Sequence, residues 1–206
     1  MQGIKNLVFD FGGVLVGLDR RRCAAALREI GAGGVAGYVD EYRQEDLFHE
    51  LEVGNIGTEG FCDEVRRVCP GCQATNEAIC EAWNALLTGI PHHRLDLLSK
   101  LKGRYRLMLL SNTNPIHWQK SVDDFFNYDG RGVADYFERV FLSYRMHLVK
   151  PDERIFRQML LEADIKPSET LFIDDSPVNC AAASELGINA LLAAEGEEWE
   201  GSLCEQ

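Results

Sequence analysis

The chain has 206 residues, 46% of them apolar, and its 21 Lys and Arg residues against 33 Asp and Glu residues give a net charge of −12. A chain of this length can bury a full hydrophobic core, and its negative charge, with no basic run longer than Arg20-Arg21-Arg22, argues against nucleic acid as a partner. No apolar run approaches the roughly 20 residues of a membrane span and no signal-peptide pattern is present, so we expect no membrane partner and a cytoplasmic location.

The seven cysteines predict reduced thiols, because an odd number without a secretion signal does not suit a disulfide framework. Cys69-Pro70-Gly71-Cys72 has the spacing of a redox pair or of half a zinc site. The nearest further zinc ligands would be Cys62 and Cys80, whose spacing fits no zinc pattern. We therefore interpret Cys69 and Cys72 as residues of a Pro-Gly turn between helices, with a metal or redox role as the alternative.

The chain begins with a predicted buried strand that ends on a carboxylate. The apolar run from Ile4 to Phe9 leads into Asp10 and then turns at Gly12 and Gly13. This pattern is typical of a strand that delivers its last side chain to the edge of a sheet.

Helical spacing follows, with glycine and proline breaks, over residues 17–92. Asp19 is predicted to cap the first of these helices and Thr58 a later one. This stretch therefore predicts a small all-helical unit.

Strands and helices alternate after residue 92. The predicted strands are 105–110, 137–142, 170–173 and 188–192. Lys150-Pro151 is expected to open one helix and Ser176-Pro177 another, and the polar stretch 118–136 predicts a helix with a surface loop. Such alternation predicts a doubly wound, Rossmann-like parallel α/β sheet, formed by residues 1–16 and 93–206, with residues 17–92 inserted after its first strand.

Polar side chains cluster at the predicted strand ends and beside them, where ligands bind in such sheets. Asp10, Ser111, Asp174 and Asp175 follow three of the strands, and Lys150 begins a helix. Three converging carboxylates would repel one another unless a cation lies among them, and hard oxygen ligands suit Mg²⁺. A hydroxyl, backbone N–H groups and a lysine make a cradle for a phosphate, so the set predicts phosphoryl transfer.

The same residues resemble the haloacid dehalogenase-like hydrolase superfamily. The matching segments, in the family's order, are Phe9-Asp10 with Gly13-Val14-Leu15, Leu109-Leu110-Ser111-Asn112, Lys150-Pro151 and Phe172-Ile173-Asp174-Asp175. They span positions 9 to 175, and the position of the insert resembles that of the helical C1-type cap, which closes over the active site in this superfamily.

The resemblance implies a role for each matched residue. Asp10 would be the nucleophile that forms an aspartyl-phosphate, and Ser111 and Lys150 would hold the phosphate, with Asn112 beside them in the substrate-binding segment. Asp10, Asp174 and the backbone carbonyl of Gly12 would bind Mg²⁺, and Asp175 would contact the metal through water or steady Lys150. Asn112 and Asn179 are expected to support this set by hydrogen bonds.

Gly12 departs from the pattern of phosphatases in this superfamily, which usually carry a second Asp at this position as general acid and base. Such assistance is worth about 10²–10⁴ in rate. Three compensations stay open: Asp19 at the start of the insert, His117 after the second motif, or a substrate whose leaving group needs no proton. An anomeric sugar phosphate is such a substrate, and Asp10 to Val14 together with Ser111 to Asn114 resemble a subgroup that includes sugar-1-phosphate phosphatases.

The sequence therefore predicts a Mg²⁺-dependent phosphomonoester hydrolase for a small phosphorylated metabolite, with sugar phosphates as candidates. One alternative is a catalytically silent phosphate-binding or regulatory protein, and a less favoured one is a dehalogenase, which has no use for the retained acidic pair. Substrate identity should reside in the insert, where Phe48, His49 and Glu52 precede a break at Gly54 and could face the site.

Overall fold

A computed structural model of the chain describes residues 3–39, 47–193 and 199–204. Its strands in these ranges are Asn6–Phe9 (β1), Gly17–Leu18 (β2), Leu87–Gly89 (β3), Arg106–Ser111 (β4), Arg139–Leu142 (β5), Thr170–Asp174 (β6) and Asn189–Leu192 (β7). Five of them form a parallel sheet in the order β5-β4-β1-β6-β7. The predicted fold class is confirmed.

The helices of the described ranges lie on both faces of this sheet and in the insert. They are Arg20–Glu29 (α1), Gly33–Ala36 (α2), Leu47–Val53 (α3), Thr58–Val68 (α4), Asn76–Asn84 (α5), His92–Leu101 (α6), Pro115–Lys120 (α7), Val133–Tyr136 (α8), Ser143–Met146 (α9), Glu153–Ala163 (α10), Pro177–Glu185 (α11) and Gly201–Cys204 (α12). None of the helices in these ranges has the length and apolarity that a membrane crossing requires.

Helices cover both faces of the sheet. Successive side chains of a strand point to opposite sides, so each central strand contributes apolar residues to both covered faces. On β1, Leu7 and Phe9 pack in one apolar cluster with leucines of α6, whereas Val8 packs in another with Ile155 and Phe156 of α10. Since β1 lies at the centre of the sheet, Asp10 emerges next to the ends of both β4 and β6.

The insert leaves the sheet through a short antiparallel ribbon that the sequence analysis did not predict. In this ribbon β2 pairs with β3. The helices α1 to α5 then enclose an apolar core of their own, to which Ile116 of α7 also contributes. Strands of two or three residues carry too little pattern to be seen in the sequence.

Two predicted helix starts are confirmed by capping hydrogen bonds. Asp19 Oδ1 accepts from the Arg22 N–H at 2.9 Å, and the Ser176 hydroxyl accepts from the Asn179 N–H at 3.4 Å.

Two other predicted starts are wrong. Thr58 is the first residue of α4, and Gly57 is its N-cap. The helix after Lys150-Pro151 begins only at Glu153, because Asp152 caps it by accepting from the Arg154 N–H at 2.9 Å.

The stretch 118–136 is more buried than its polar composition predicts. Phe126 and Tyr136 are fully buried, and the Phe126 ring stacks on Phe11 with centroids 5.7 Å apart. This segment therefore packs against the turn that follows Asp10.

Candidate active site

Three carboxylates meet at the carboxyl ends of β1 and β6. One oxygen from each of Asp10, Asp174 and Asp175 lies within 4.8 Å of the others. Within the described ranges, these three residues are the group whose arrangement could hold a metal ion. Asp10 and Asp174 are buried, whereas Asp175 is exposed. The sheet order explains this meeting, because β1 and β6 are neighbours.

Lys150 lies between two of these carboxylates. Its Nζ is 2.8 Å from Asp10 Oδ1 and 2.6 Å from Asp174 Oδ2, and it donates to the Leu110 carbonyl at 3.1 Å. Although burial opposes its charge, the carboxylates of Asp10 and Asp174 raise the pKa of Lys150 above its usual value. The ammonium form of Lys150 is therefore favoured although the side chain is buried.

The cluster carries more negative charge than its lysine balances. Burial raises the pKa of Asp10 to about 7 against the opposing effect of Lys150, and burial also raises the pKa of Asp175. Three ionised carboxylates and one ammonium would leave a charge of −2 in a poorly solvated place. The donor set of hard oxygens with this excess charge fits a divalent cation such as Mg²⁺.

Two asparagines fix the positions of the charged residues. The Asn112 side chain donates from Nδ2 to the Lys150 carbonyl at 2.9 Å and accepts the Lys150 N–H at 2.8 Å. Asn179 Nδ2 donates to both oxygens of Asp174, at 3.0 and 3.2 Å, and the Ser176 N–H donates to Asp174 Oδ1 at 2.8 Å. Both asparagines therefore hold charged residues of the cluster by hydrogen bonds.

The turn after Asp10 requires glycine at position 13. Gly13 has a φ of +75°, and a Cβ there would lie 2.2 Å from Asp175 Oδ2. The third carboxylate can approach the turn only because Gly13 has no side chain. At the neighbouring Gly12, a Cβ would lie 3.5 Å from Leu18 Cδ1, so an apolar side chain of β2 lies beside this position.

A cavity of about 500 Å³ opens beside the carboxylates. The residues that line it from the sheet side are Asp10, Phe11, Gly12, Val16, Asn112, Thr113, His117, Lys150, Pro151, Asp175, Ser176, Val178 and Asn179. Those from the insert are Leu18, Arg20, Val39, Phe48, His49, Glu52, Trp83, Leu86 and Leu87. The predicted Ser111 lies at the end of β4 but is 1% exposed and outside this lining set, with its hydroxyl donating to the Asn112 carbonyl.

His117 is buried and belongs to an aromatic stack. Its ring lies 4.5 Å from the Trp83 ring, which in turn lies 4.3 Å from the Phe48 ring. Nδ1 is 3.1 Å from Asn114 Nδ2 and Nε2 is 3.1 Å from the Trp83 carbonyl, so a neutral ring accepts at Nδ1 and donates at Nε2. Both ring nitrogens are therefore engaged in hydrogen bonds.

Burial lowers the pKa of His117 to about 4, against a smaller opposing effect of the Trp83 carbonyl. The unfolded chain therefore binds a proton at this ring below about pH 6.5 while the folded chain does not, so stability falls as the pH falls. His117 alone should lower the free energy of unfolding by about 2 kcal/mol between pH 7 and pH 5. Urea unfolding of the wild type and of His117→Gln at both pH values measures this, and equal pH dependence of the two proteins would contradict it.

Cys69 and Cys72 lie in the apolar core of the insert, with the Cys72 N–H donating to the Cys69 carbonyl at 2.8 Å. Their surroundings are those of packed turn residues. The Asp19 carboxylate caps α1, and Asp19 is not a lining residue of the cavity. Its position is therefore that of a helix-capping residue.

Comparison with known proteins assigns the family. A profile of the haloacid dehalogenase-like hydrolases matches residues 4–187. The chain belongs to the haloacid dehalogenase-like hydrolases. This hydrolase is 34% identical over 200 residues, 97% of each chain, to the D-ribitol-5-phosphate phosphatase of Bacteroides thetaiotaomicron.

Solved structures of similar haloacid dehalogenase-like proteins agree with this assignment. A family enzyme from Bacteroides thetaiotaomicron, crystallised with magnesium and inorganic phosphate, is 41% identical and superposes with a TM-score of 0.91 over 97% of this chain and 98% of its own. A predicted family hydrolase from Porphyromonas gingivalis is 36% identical, with a TM-score of 0.88 over 98% of this chain and 99% of its own.

Proposed function

We propose that this chain is a Mg²⁺-dependent phosphomonoester hydrolase that acts on a small phosphorylated sugar or sugar alcohol. The observation that carries the proposal is the buried group of Asp10, Asp174 and Lys150, with Asp175 beside it, at the edge of a cavity that could hold such a substrate. The 34% identity to a D-ribitol-5-phosphate phosphatase over nearly the whole chain supports the choice of substrate class.

In the proposed reaction, a carboxylate oxygen of Asp10 attacks phosphorus and the bond from phosphorus to the ester oxygen breaks. The ester oxygen leaves with the electron pair and takes a proton from water in the cavity to become the alcohol. A second water then attacks phosphorus, and the acyl-phosphate bond breaks to release inorganic phosphate and restore the Asp10 carboxylate. Lys150 favours the ionised form of Asp10 and balances charge on the phosphoryl group, and Asn112, which lines the cavity, is a further substrate-binding residue. Ser111 supports this segment from the enclosed end of β4, since it is not a lining residue of the cavity.

Mg²⁺ is proposed to bind Asp10, Asp174, Asp175 and the Gly12 carbonyl. When bound, it supplies the positive charge that offsets the excess of carboxylates and the charge of the phosphate. Asn179 and the Ser176 N–H hold Asp174 in place for this role.

Gly12 leaves the reaction without the usual acid, and the structure weakens two of the three compensations considered. Asp19 caps a helix, and both His117 nitrogens are already bonded. The insert does bring Arg20, His49 and Glu52 to the cavity lining. We propose that His49 and Glu52 recognise hydroxyl groups of the leaving alcohol.

Residues 17–92 are proposed to act as the cap of this site. The end of α3 meets the sheet domain at α9, where His147 Nδ1 lies 3.0 Å from the Val53 carbonyl. Gly54 has a φ of +79°, and a Cβ there would lie 2.2 Å from the Tyr144 carbonyl oxygen. This contact therefore seats the cap on the segment that leads to Lys150.

Gly54→Ala should separate the end of α3 from α9, because the new methyl group collides with the Tyr144 main chain. In addition, a left-handed backbone conformation costs a residue other than glycine about 1–2 kcal/mol. We expect phosphate release to fall at least about tenfold and the melting temperature to drop by several degrees. Gly37→Ala is the matched control, since Gly37 has an ordinary helical φ of −67° and nothing lies within 4 Å of its Cβ position. Equal behaviour of the two variants would contradict the seating role of Gly54.

A substrate panel tests the proposed function. Phosphate release is measured with Mg²⁺ from pentitol phosphates, hexose phosphates, a nucleoside monophosphate and 4-nitrophenyl phosphate. The proposal predicts the highest kcat/KM among alkyl esters for pentitol or hexose phosphates. No release from any ester by the folded, Mg²⁺-loaded protein would overturn the proposal and favour a silent phosphate-binding protein.

Glu52→Gln tests the role of the insert in recognising the alcohol. Loss of the carboxylate should lower kcat/KM for the pentitol phosphate about tenfold and leave 4-nitrophenyl phosphate within about twofold, because a hydroxyl bond to a charged group contributes roughly 1.5–3 kcal/mol. Glu50→Gln on the same helix is the control, since Glu50 accepts from Asn55 at 2.9 Å and is not a lining residue of the cavity. An equal loss on both substrates would contradict a recognition role.

A further inference from the structure

A second group of reactive side chains lies in the insert, apart from the carboxylates. Cys62 on α4 and Cys80 on α5 face each other, with their sulfur atoms 3.9 Å apart. The Cys62 sulfur also lies 3.8 Å from the Asn76 carbonyl oxygen. Among the cysteines whose side chains are described, these two have their sulfurs in contact.

The two thiols differ in their access to solvent. Cys62 is fully buried, whereas Cys80 is half-buried and lines a second, open cleft of about 810 Å³ between α5 and α7. A small reagent in this cleft can therefore reach Cys80 but not Cys62. The hydrogen bond between the thiols lowers the pKa of Cys80 and raises that of Cys62, which favours the accessible sulfur as the thiolate.

We propose that Cys62 and Cys80 are a redox-active pair in which a hydroperoxide oxidises Cys80 and Cys62 then closes a disulfide between α4 and α5. The Cys80 thiolate attacks one peroxide oxygen, the O–O bond breaks, and Cys80 becomes a sulfenic acid as the peroxide is reduced to water or alcohol. The Cys62 sulfur then attacks the Cys80 sulfur, the S–O bond of the sulfenic acid breaks, and the hydroxyl leaves with the Cys62 proton as water. A dithiol reductant returns both thiols.

The bond would join two helices of the insert covalently. The sulfur atoms must approach from 3.9 Å to about 2.05 Å. Because α5 also carries Trp83, which lines the main cavity and stacks on His117, the oxidation state of the pair is coupled to the wall of that cavity. The proposal does not depend on the phosphatase assignment, since it involves neither the carboxylates nor a phosphate.

Mass spectrometry tests the pair. The native protein is treated with stoichiometric hydrogen peroxide, alkylated and digested before the measurement. We expect the loss of two hydrogen atoms, a crosslink between the peptides of Cys62 and Cys80, and full reversal by dithiothreitol. Cys72→Ser, a buried cysteine outside the pair, should keep the crosslink, and Cys62→Ser should abolish it and leave an oxidised Cys80.

Three results would overturn the proposal. In the first, Cys80 does not react with hydrogen peroxide. In the second, Cys80 of the wild type accumulates as an oxidised monomeric residue without a crosslink to Cys62. In the third, the crosslink joins other cysteines. A melting temperature that rises on oxidation of the wild type but not of Cys62→Ser gives a second, independent readout, because a disulfide restricts the unfolded chain.

Discussion

Asp10→Asn is expected to reduce phosphate release by at least about 10³-fold, because the amide cannot attack phosphorus and removes one of the clustered oxygen ligands. The fold should persist, since asparagine has nearly the shape of aspartate and relieves the charge of a buried carboxyl whose pKa is already raised to about 7. Steady-state phosphate release from a pentitol phosphate, with the melting temperature measured beside it, checks both expectations.

Asp19→Asn is the matched control for this substitution. Asparagine caps helices as well as aspartate does, so α1 and the rate of phosphate release should be unchanged. If Asp19→Asn lowered the rate of phosphate release as much as Asp10→Asn does, Asp19 would take part in the chemistry. Wild-type rates in Asp10→Asn would contradict the nucleophile assignment.

Lys150→Met should lower both stability and activity. Methionine is unbranched and only one atom shorter than lysine, but it leaves the carboxylates of Asp10 and Asp174 buried together without their cation. Breaking such a buried ion pair by removing one partner costs about 3–5 kcal/mol in the free energy of unfolding. Phosphate release should fall at least about 10²-fold, because the phosphoryl group loses a positive charge beside it.

Lys120→Met provides the comparison for stability. Lys120 pairs with Asp124 on the surface, where both side chains are at least 40% exposed, and such pairs contribute about 0–1 kcal/mol. Urea unfolding of both variants, with and without Mg²⁺, should show a large loss for Lys150→Met that Mg²⁺ partly reverses. Equal losses in the two variants would contradict a buried charge network at Lys150.

The strands and the meeting of the charged residues could be predicted from local pattern. Most strands of the parallel sheet are short apolar runs that end at a polar residue or a turn, as Ile4 to Phe9 does at Asp10. In a parallel sheet the ends of neighbouring strands share one edge, so the proximity of Asp10 and Asp174 follows from the order of the strands. The capping residues Asp19 and Ser176 were equally local signals.

Features that depend on distant parts of the chain could not be predicted in this way. The environment of His117 depends on Trp83, which is 34 residues away in the sequence and stacks on its ring. The approach of Leu18 to Gly12 depends on the ribbon of β2 and β3, which is too short to show a pattern. Gly54 was visible as a break, but its contact with Tyr144 required the three-dimensional structure.

The central claim is that the carboxylates and Lys150 act together as a metal-dependent phosphatase site. The measurement that tests it most directly is release of inorganic phosphate from a pentitol phosphate by the purified protein, titrated with Mg²⁺ and with a chelator. We predict saturable activation by Mg²⁺, loss of release with the chelator, and recovery when Mg²⁺ is restored. Release that continues unchanged in the chelator, or a folded protein that releases no phosphate at any Mg²⁺ concentration, would contradict the claim.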